Sequence, residues 1–264
     1  PASSLTGKDG GWTTDLSHRP ELAYPAYLAT GEAVYMRALA HEGAFAIHNI
    51  WPDKRGPSGV LVVRHLQLRA SAWSLRTVSN AAYLLPDNPP LKVSFVTVRN
   101  ANLNHLYGRY ILDGEMQGAG EVEGWFADIL TRGKIPYPAW QGDFLTIVLA
   151  QEVTRGTPLS KDLLDWAARF TEGRVNYLGS LEVMAGQRTI VHGADGRLLN
   201  SWEAIALATR RAFPDGTAYT GNHGGGYSVL RAALGAIVFA TGDEQAVSAL
   251  DRLQRMPGAS DLYN

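Results

Sequence analysis

An all-α fold built of antiparallel helical hairpins is the architecture this sequence predicts, and three observations predict it. Two stretches near opposite ends read alike. Leu28 to Leu39 is L-A-T-G-E-A-V-Y-M-R-A-L, and Phe239 to Leu250 is F-A-T-G-D-E-Q-A-V-S-A-L. Each runs an apolar segment into Ala-Thr-Gly, adds an acid, and reaches Ala-Leu at the same distance beyond the glycine. Gly31 and Gly242 suit the left-handed conformation that closes a helix. Glu32 and Asp243 then put negative charge where the next helix has free N–H groups. A hairpin at both ends points to a repeated-hairpin array. The second observation is the strong helical period of 62–85, where Leu66, Ala70, Trp73, Thr77 and Ala81 recur at steps of three and four. The third is the near absence of strand-like alternation.

Taken in order, residues 1–20 are polar and glycine-rich and read as an ordered loop ending near Trp12, Asp15 and His18. Helices follow at 21–30 and 33–49, until the loop Trp51-Pro52-Asp53-Lys54-Arg55-Gly56-Pro57 breaks the pattern. The helix at 62–85 stops at Pro86-Asp87-Asn88-Pro89-Pro90, and 91–112 resumes. Gly114 to Gly124 and Gly133 to Pro138 read as breaks. Two more helices are expected at 139–155 and 160–172, with Ser160 capping the second. Arg188 to Arg197 reads as a short strand or turn excursion around Asp195-Gly196. A helix at 201–212 is capped by Ser201, and helices at 226–240 and 243–255 close the chain. No linker interrupts this series, so residues 1–264 are expected to form one domain of nine to ten helices, either whole or as a fragment of a longer protein.

Bulk composition removes several function classes. The formal net charge of -1 argues against general binding to nucleic-acid phosphates. The absence of cysteine removes disulfide and thiolate chemistry. No apolar run is long enough to span a membrane. The opening Pro1-Ala2-Ser3-Ser4 lacks the charged and apolar regions of a signal peptide. None of the seven histidines forms an H-x-x-x-H pair, so no metal site is expected.

Several clusters carry polar chemistry where plain packing would not need it. Arg69, Trp73 and Arg76 stand four and three apart and share one helix face. Guanidiniums offer planar forks for carboxylates, and indole offers a flat apolar surface, a pairing suited to an anionic sugar ring. Asn104, His105 and Tyr107 bring an amide, an imidazole and a phenol together at a helix end. Trp140-Gln141-Gly142-Asp143-Phe144 opens a helix, with Asp143 a helix-start acid or a catalytic one and Trp140 an aromatic platform. Asn222-His223-Gly224-Gly225-Gly226-Tyr227 offers an amide, a base and a possible donor around a glycine run. Asp15 and His18 lie on the N-terminal loop.

Helical hairpins, aromatics at helix starts, an Asn-His pair, a Tyr near glycines and an Arg-flanked Trp together resemble the α/α-toroid carbohydrate-active enzymes. That group holds the toroid polysaccharide lyases and the six-hairpin glycoside hydrolases. A complete six-hairpin barrel needs about twelve helices, so the resemblance implies that the domain over residues 1–264 is an incomplete α/α toroid, and it favours the lyases. In several of those lyase families an Asn-His pair and a Tyr carry the chemistry. The nearest echo is Asn104-His105 with Tyr107, although Leu103 stands where the fuller Asn-Asn-His pattern has its first Asn.

The resemblance implies β-elimination on a uronic-acid polymer. Arg69 and Arg76 would hold the carboxylate, and Asn104 or Asn222 would neutralise it. His105 or His223 would take the C5 proton, and Tyr227 or Tyr107 would protonate the leaving oxygen. Trp73 and Trp140 would carry sugar rings, with His18 among the binding residues. A glycoside hydrolase using Asp15 and Asp143 is one rival, and a non-catalytic carbohydrate-binding or scaffold domain is another. The expected partner is a polysaccharide or oligosaccharide, with no cofactor, metal, nucleic acid or membrane, and the expected location is periplasmic or secreted.

Overall fold

The structure is a computed structural model that describes residues 16–18, 21–64, 67–87, 90–112, 122–126, 137–178, 189–214 and 223–256. Among the described residues there are nine α-helices and no strand. They are α1 Ala23–Thr30, α2 Ala33–His48, α3 Leu68–Leu84, α4 Pro90–Tyr107, α5 Ala139–Thr154, α6 Ser160–Tyr177, α7 Trp202–Ala212, α8 His223–Thr241 and α9 Glu244–Gln254. No described helix is long and apolar enough to cross a membrane.

The two A-T-G-[DE] junctions fold alike. Gly31 and Gly242 have φ of 69° and 71°, and their N–H groups donate to Tyr27 O at 2.7 Å and Val238 O at 2.8 Å. Thr30 and Thr241 each donate a hydroxyl to the carbonyl four residues back, Ala26 and Ile237, at 2.8 Å. The same hydroxyls accept the N–H of the acid after the glycine, Glu32 at 3.2 Å and Asp243 at 3.1 Å. The threonine thus clips the end of one helix to the entry of the next. The acids differ: Asp243 caps α9 by accepting from Gln245 and Ala246, while Glu32 makes no side-chain cap.

Neighbours in sequence pack as pairs, α1 on α2, α3 on α4, α5 on α6 and α8 on α9. Contacts fix their directions. Tyr227, early in α8, donates to the carbonyl of Leu253 at the end of α9 over 3.2 Å, so those two run antiparallel. Asp143, early in α5, meets Arg174, late in α6, so those two do as well. By contrast α3 and α5 run parallel. Arg69 meets Gln141 in their first turns, and Asn80 meets Gln151 eleven and ten residues on. α5 lies at the centre, touching α3, α6 and α8, and is accordingly buried on several sides by Leu145, Val148, Leu149 and Ala150.

Some expected boundaries move for tertiary reasons. α3 starts at Leu68 rather than near 62, because Asn102 of α4 holds that stretch open. Its Oδ1 accepts from Val62 and Val63 at 2.7 and 3.1 Å, and its Nδ2 donates to Val60 O at 3.1 Å. Ser160 is not a cap. Leu159 takes that position at φ 67°, and Ser160 donates to Thr157 O at 2.6 Å from inside the helix. α6 runs on to Tyr177, and the end of the expected 91–112 helix is a π turn over Gly108–Leu112. Ser201 does cap α7, accepting from Ala204 at 3.2 Å. The Asp195-Gly196 excursion is a turn closed by the bridge His192 to Leu198, with a second bridge from Thr189 to Tyr137.

Candidate functional site

The first turns of the parallel helices α3 and α5 build one continuous face. Gln141 reaches across and accepts the backbone N–H of Arg69 at 3.0 Å, capping α3 from the neighbouring helix. The Arg69 guanidinium lies 5.0 Å over the Trp140 ring, and its Nη2 meets Nε2 of His18 at 2.9 Å. One turn further, Trp73 packs on Phe144 at 4.2 Å between centroids, and Phe144 meets Trp140 edge-on at 5.7 Å. Arg76 lies 4.2 Å over Trp73 and pairs with Glu21 at 3.0 Å. Arg69, Trp73, Arg76, Trp140 and Phe144 are half-buried, and His18 is exposed. The spacing of 69, 73 and 76 therefore puts these side chains on one face, as the helical period requires. Each stacked guanidinium gains about 0.5–2 kcal/mol from its ring.

Below this face lies a buried polar network. Asn80 donates to both Glu21 oxygens at 2.8 and 2.7 Å and accepts from Gln151 at 3.1 Å. Arg155 also donates to Asn80, to Tyr24 OH at 3.1 Å and to Glu152 at 2.8 Å. Thr157 donates to the other Glu152 oxygen at 2.8 Å, and Arg99 stands 3.7 Å from it. Burial lowers the pKa of Arg99, an effect that Glu152 opposes.

The remaining candidates lie outside the contacts that build this face. Asp143 is 1% exposed and faces the core, where Arg174 donates to its Oδ1. Burial raises its pKa to about 6, against the lowering pull of Arg174. A carboxyl held there ties α5 to α6 and does not reach the Arg–aromatic face. Tyr227 is 2% exposed and spends its hydroxyl on Leu253, so proton donation from it would require the α8–α9 packing to open. Asn104 is exposed, and His105 and Tyr107 are half-buried, at the C-terminal end of α4. Asp15 and Asn222 lie outside the described residues. His223 begins α8 with its side chain outside them.

Gln141, Phe144 and Glu21 were not among the sequence candidates for this face. The first two sit inside the Trp140 motif, where their neighbours drew the reading. Glu21 carries no local signal, because its partners are far away in sequence. A separate cleft of about 360 Å³ lies beside α6 and includes Tyr110, Glu123, Asp162, Asp165, Trp166 and Arg169. Among the described residues no three His, Asp or Glu side chains group as metal ligands. Comparison of the chain with protein-family models, curated proteins and solved structures finds no match.

Proposed function

We propose that this chain is a carbohydrate-active enzyme, a polysaccharide lyase that takes a uronic-acid polymer on the Arg–aromatic face and cleaves it by β-elimination. The observation that carries this is the joining of Arg69, Trp73, Arg76 and Trp140 on one half-buried surface along the first three turns of α3 and the start of the parallel α5. Rings stack on indole, and guanidiniums hold carboxylates through paired N–H groups. An incomplete α/α toroid is the matching architecture. Support for it comes from α3, α5 and α8 packing side by side as the first helices of successive pairs, with α3 parallel to α5.

In the proposed reaction the carboxylate sits on Arg69 and its ring on Trp140. His105 removes the C5 proton. The electron pair left behind forms the C4–C5 double bond as the C4–O bond breaks, and the departing oxygen takes a proton from Tyr107. Asn104 donates to the carboxylate while negative charge builds on it. Supporting this choice, Asn102 near the C-terminal end of α4 bonds Val60, Val62 and Val63 just ahead of α3, which brings that end of α4 toward the start of α3. A polymer substrate implies action in the periplasm or outside the cell.

The test is absorbance of the unsaturated uronate product, measured on a panel of uronic-acid polymers. Arg69→Ala and Trp140→Ala are expected to lower kcat/KM by about 10- to 100-fold with little change in melting temperature. Reducing ends released without that absorbance would replace the lyase by a hydrolase. Binding without turnover would leave a carbohydrate-binding domain, and no binding by the parent would remove the proposal altogether.

A further inference from the structure

The cleft beside α6 takes no part in the chemistry above, and its walls carry a surplus of one charge. Asp162, Asp165, Trp166 and Arg169 line it from the first half of α6, where spacings of three and four put them on one face. Tyr110 lines it from the π turn, and Glu123 from the segment 122–126. Gly124 lets that segment lie against α6. Its φ is 91°, and a Cβ there would strike the carbonyl of Trp166. Because α5 and α6 run antiparallel, the cleft flanks the later part of α5, away from the Arg–aromatic face at its start.

Three carboxylates stand against one guanidinium in these walls. Arg169 holds one oxygen of Glu123, and Lys161 holds one of Asp165 at 2.6 Å. The second oxygen of each, and both oxygens of Asp162, accept no hydrogen bond among the described residues. A second feature is independent of charge. Trp166 is only 7% exposed, stacked on Tyr110 at 4.8 Å and edge-on to Phe126 at 5.2 Å. Its indole N–H has no partner among the described residues, yet it is not sealed from solvent, so this donor opens into the cleft that the residue lines. A donor held this way calls for an acceptor. Asp162 lies four residues before Trp166 and Asp165 beside it, so donor and acceptors share one helical turn of about 5 Å, the span of a single sugar ring. The cleft holds about 360 Å³, near the lower end of ligand pockets. A uronate fits badly, since its carboxylate would meet a surplus of like charge. We infer that this cleft is a second binding site, for a 2-amino sugar, which carries an ammonium and a hydroxyl on adjacent ring carbons. The ammonium sits among Asp162, Asp165 and the open oxygen of Glu123, and a sugar oxygen accepts from Trp166. The site is separate from the uronate face, so neither inference depends on the other.

The test is an NMR titration of the whole chain with the β-1,4 disaccharide of glucosamine, following the assigned indole N–H resonance of Trp166. The disaccharide is expected to shift that resonance and to bind at least about tenfold more tightly than two controls. One control is the N-acetylated disaccharide, which keeps the oxygens and lacks the charge. The other is cyclohexylamine, which keeps the charge and lacks the oxygens. Added salt should weaken binding of the amino sugar. Asp162→Asn changes an exposed residue and should lower affinity by about 3- to 10-fold with an unchanged melting temperature. Asp87→Asn, a carboxylate elsewhere on the surface, should bind as the parent does. Equal binding of the N-acetylated disaccharide, a Trp166 resonance that stays in place, or an Asp162→Asn affinity equal to that of the parent overturns the assignment. So does no binding of the glucosamine disaccharide up to about 50 mM. Each of these results leaves the lyase proposal standing, because that proposal is tested on uronic-acid polymers.

Discussion

Glu172 is a carboxyl group in surroundings that favour its neutral form. It is 6% exposed on α6, and its Oε1 has no hydrogen-bond partner. Burial raises its pKa from 4.5 to about 7, and the charges of Asp243 and Asp165 push the same way. The folded chain therefore keeps a proton that the unfolded chain releases at lower pH. The folded state binds more protons across that window, so stability falls as pH rises from about 4.5 to about 7. Glu172→Gln keeps the shape and removes the charge. It should stabilise the protein at pH 8 by about 1–2 kcal/mol, with the gap closing toward pH 5, as read by urea unfolding at both values. An equal effect at both pH values would mean that Glu172 is solvated or already paired. Asp143 behaves differently despite its own raised pKa of about 6, because removing it strands the buried guanidinium of Arg174.

At the scale of the element, the hairpin junction is where sequence and structure agree most closely. Every group it needs lies within a few residues: a glycine for positive φ, a threonine to clip back and forward, an acid at the next entry. Gly242→Ala forces a Cβ into the left-handed region, although nothing crowds it there. The expected cost is about 1–2 kcal/mol, measured by denaturant unfolding, and Gly31→Ala should cost about the same. A neutral Gly242→Ala would mean that the turn relaxes and that the shared geometry is not required. Boundaries set by distant partners were not legible in the same way. The helical period of 62–85 is real in the sequence, yet Asn102 takes the N–H groups of Val62 and Val63 and delays the helix. Leu159 in a left-handed conformation is likewise a product of packing, since a branched side chain there carries no local signal.

For the whole molecule, the face formed by Arg69, Trp73 and Arg76 was legible as a row on one helix. Its joining to Trp140 and to His18 was not, because those contacts depend on α3 and α5 lying parallel and on the N-terminal segment folding back. Asn80 is where these long-range ties converge. It is fully buried, holds both oxygens of Glu21, and receives donors from Gln151 and Arg155. Glu21 in turn holds Arg76 over Trp73. One side chain thus couples the N-terminal segment, the two parallel helices and the proposed sugar platform. Asn80→Ala leaves buried donors and acceptors unmatched, at an expected cost of about 2–4 kcal/mol. Asp87→Ala is the contrasting control, because its pair with Lys92 is solvent-exposed and its loss should change stability little. If the network also positions the platform, Asn80→Ala measured below its own unfolding transition should bind uronate oligosaccharides more weakly than Asp87→Ala does. Equal melting temperatures for the two variants would show that the buried network does not hold the molecule together. A lower melting temperature with parental binding would confine Asn80 to stability, leaving Arg76 over Trp73 without help from Glu21.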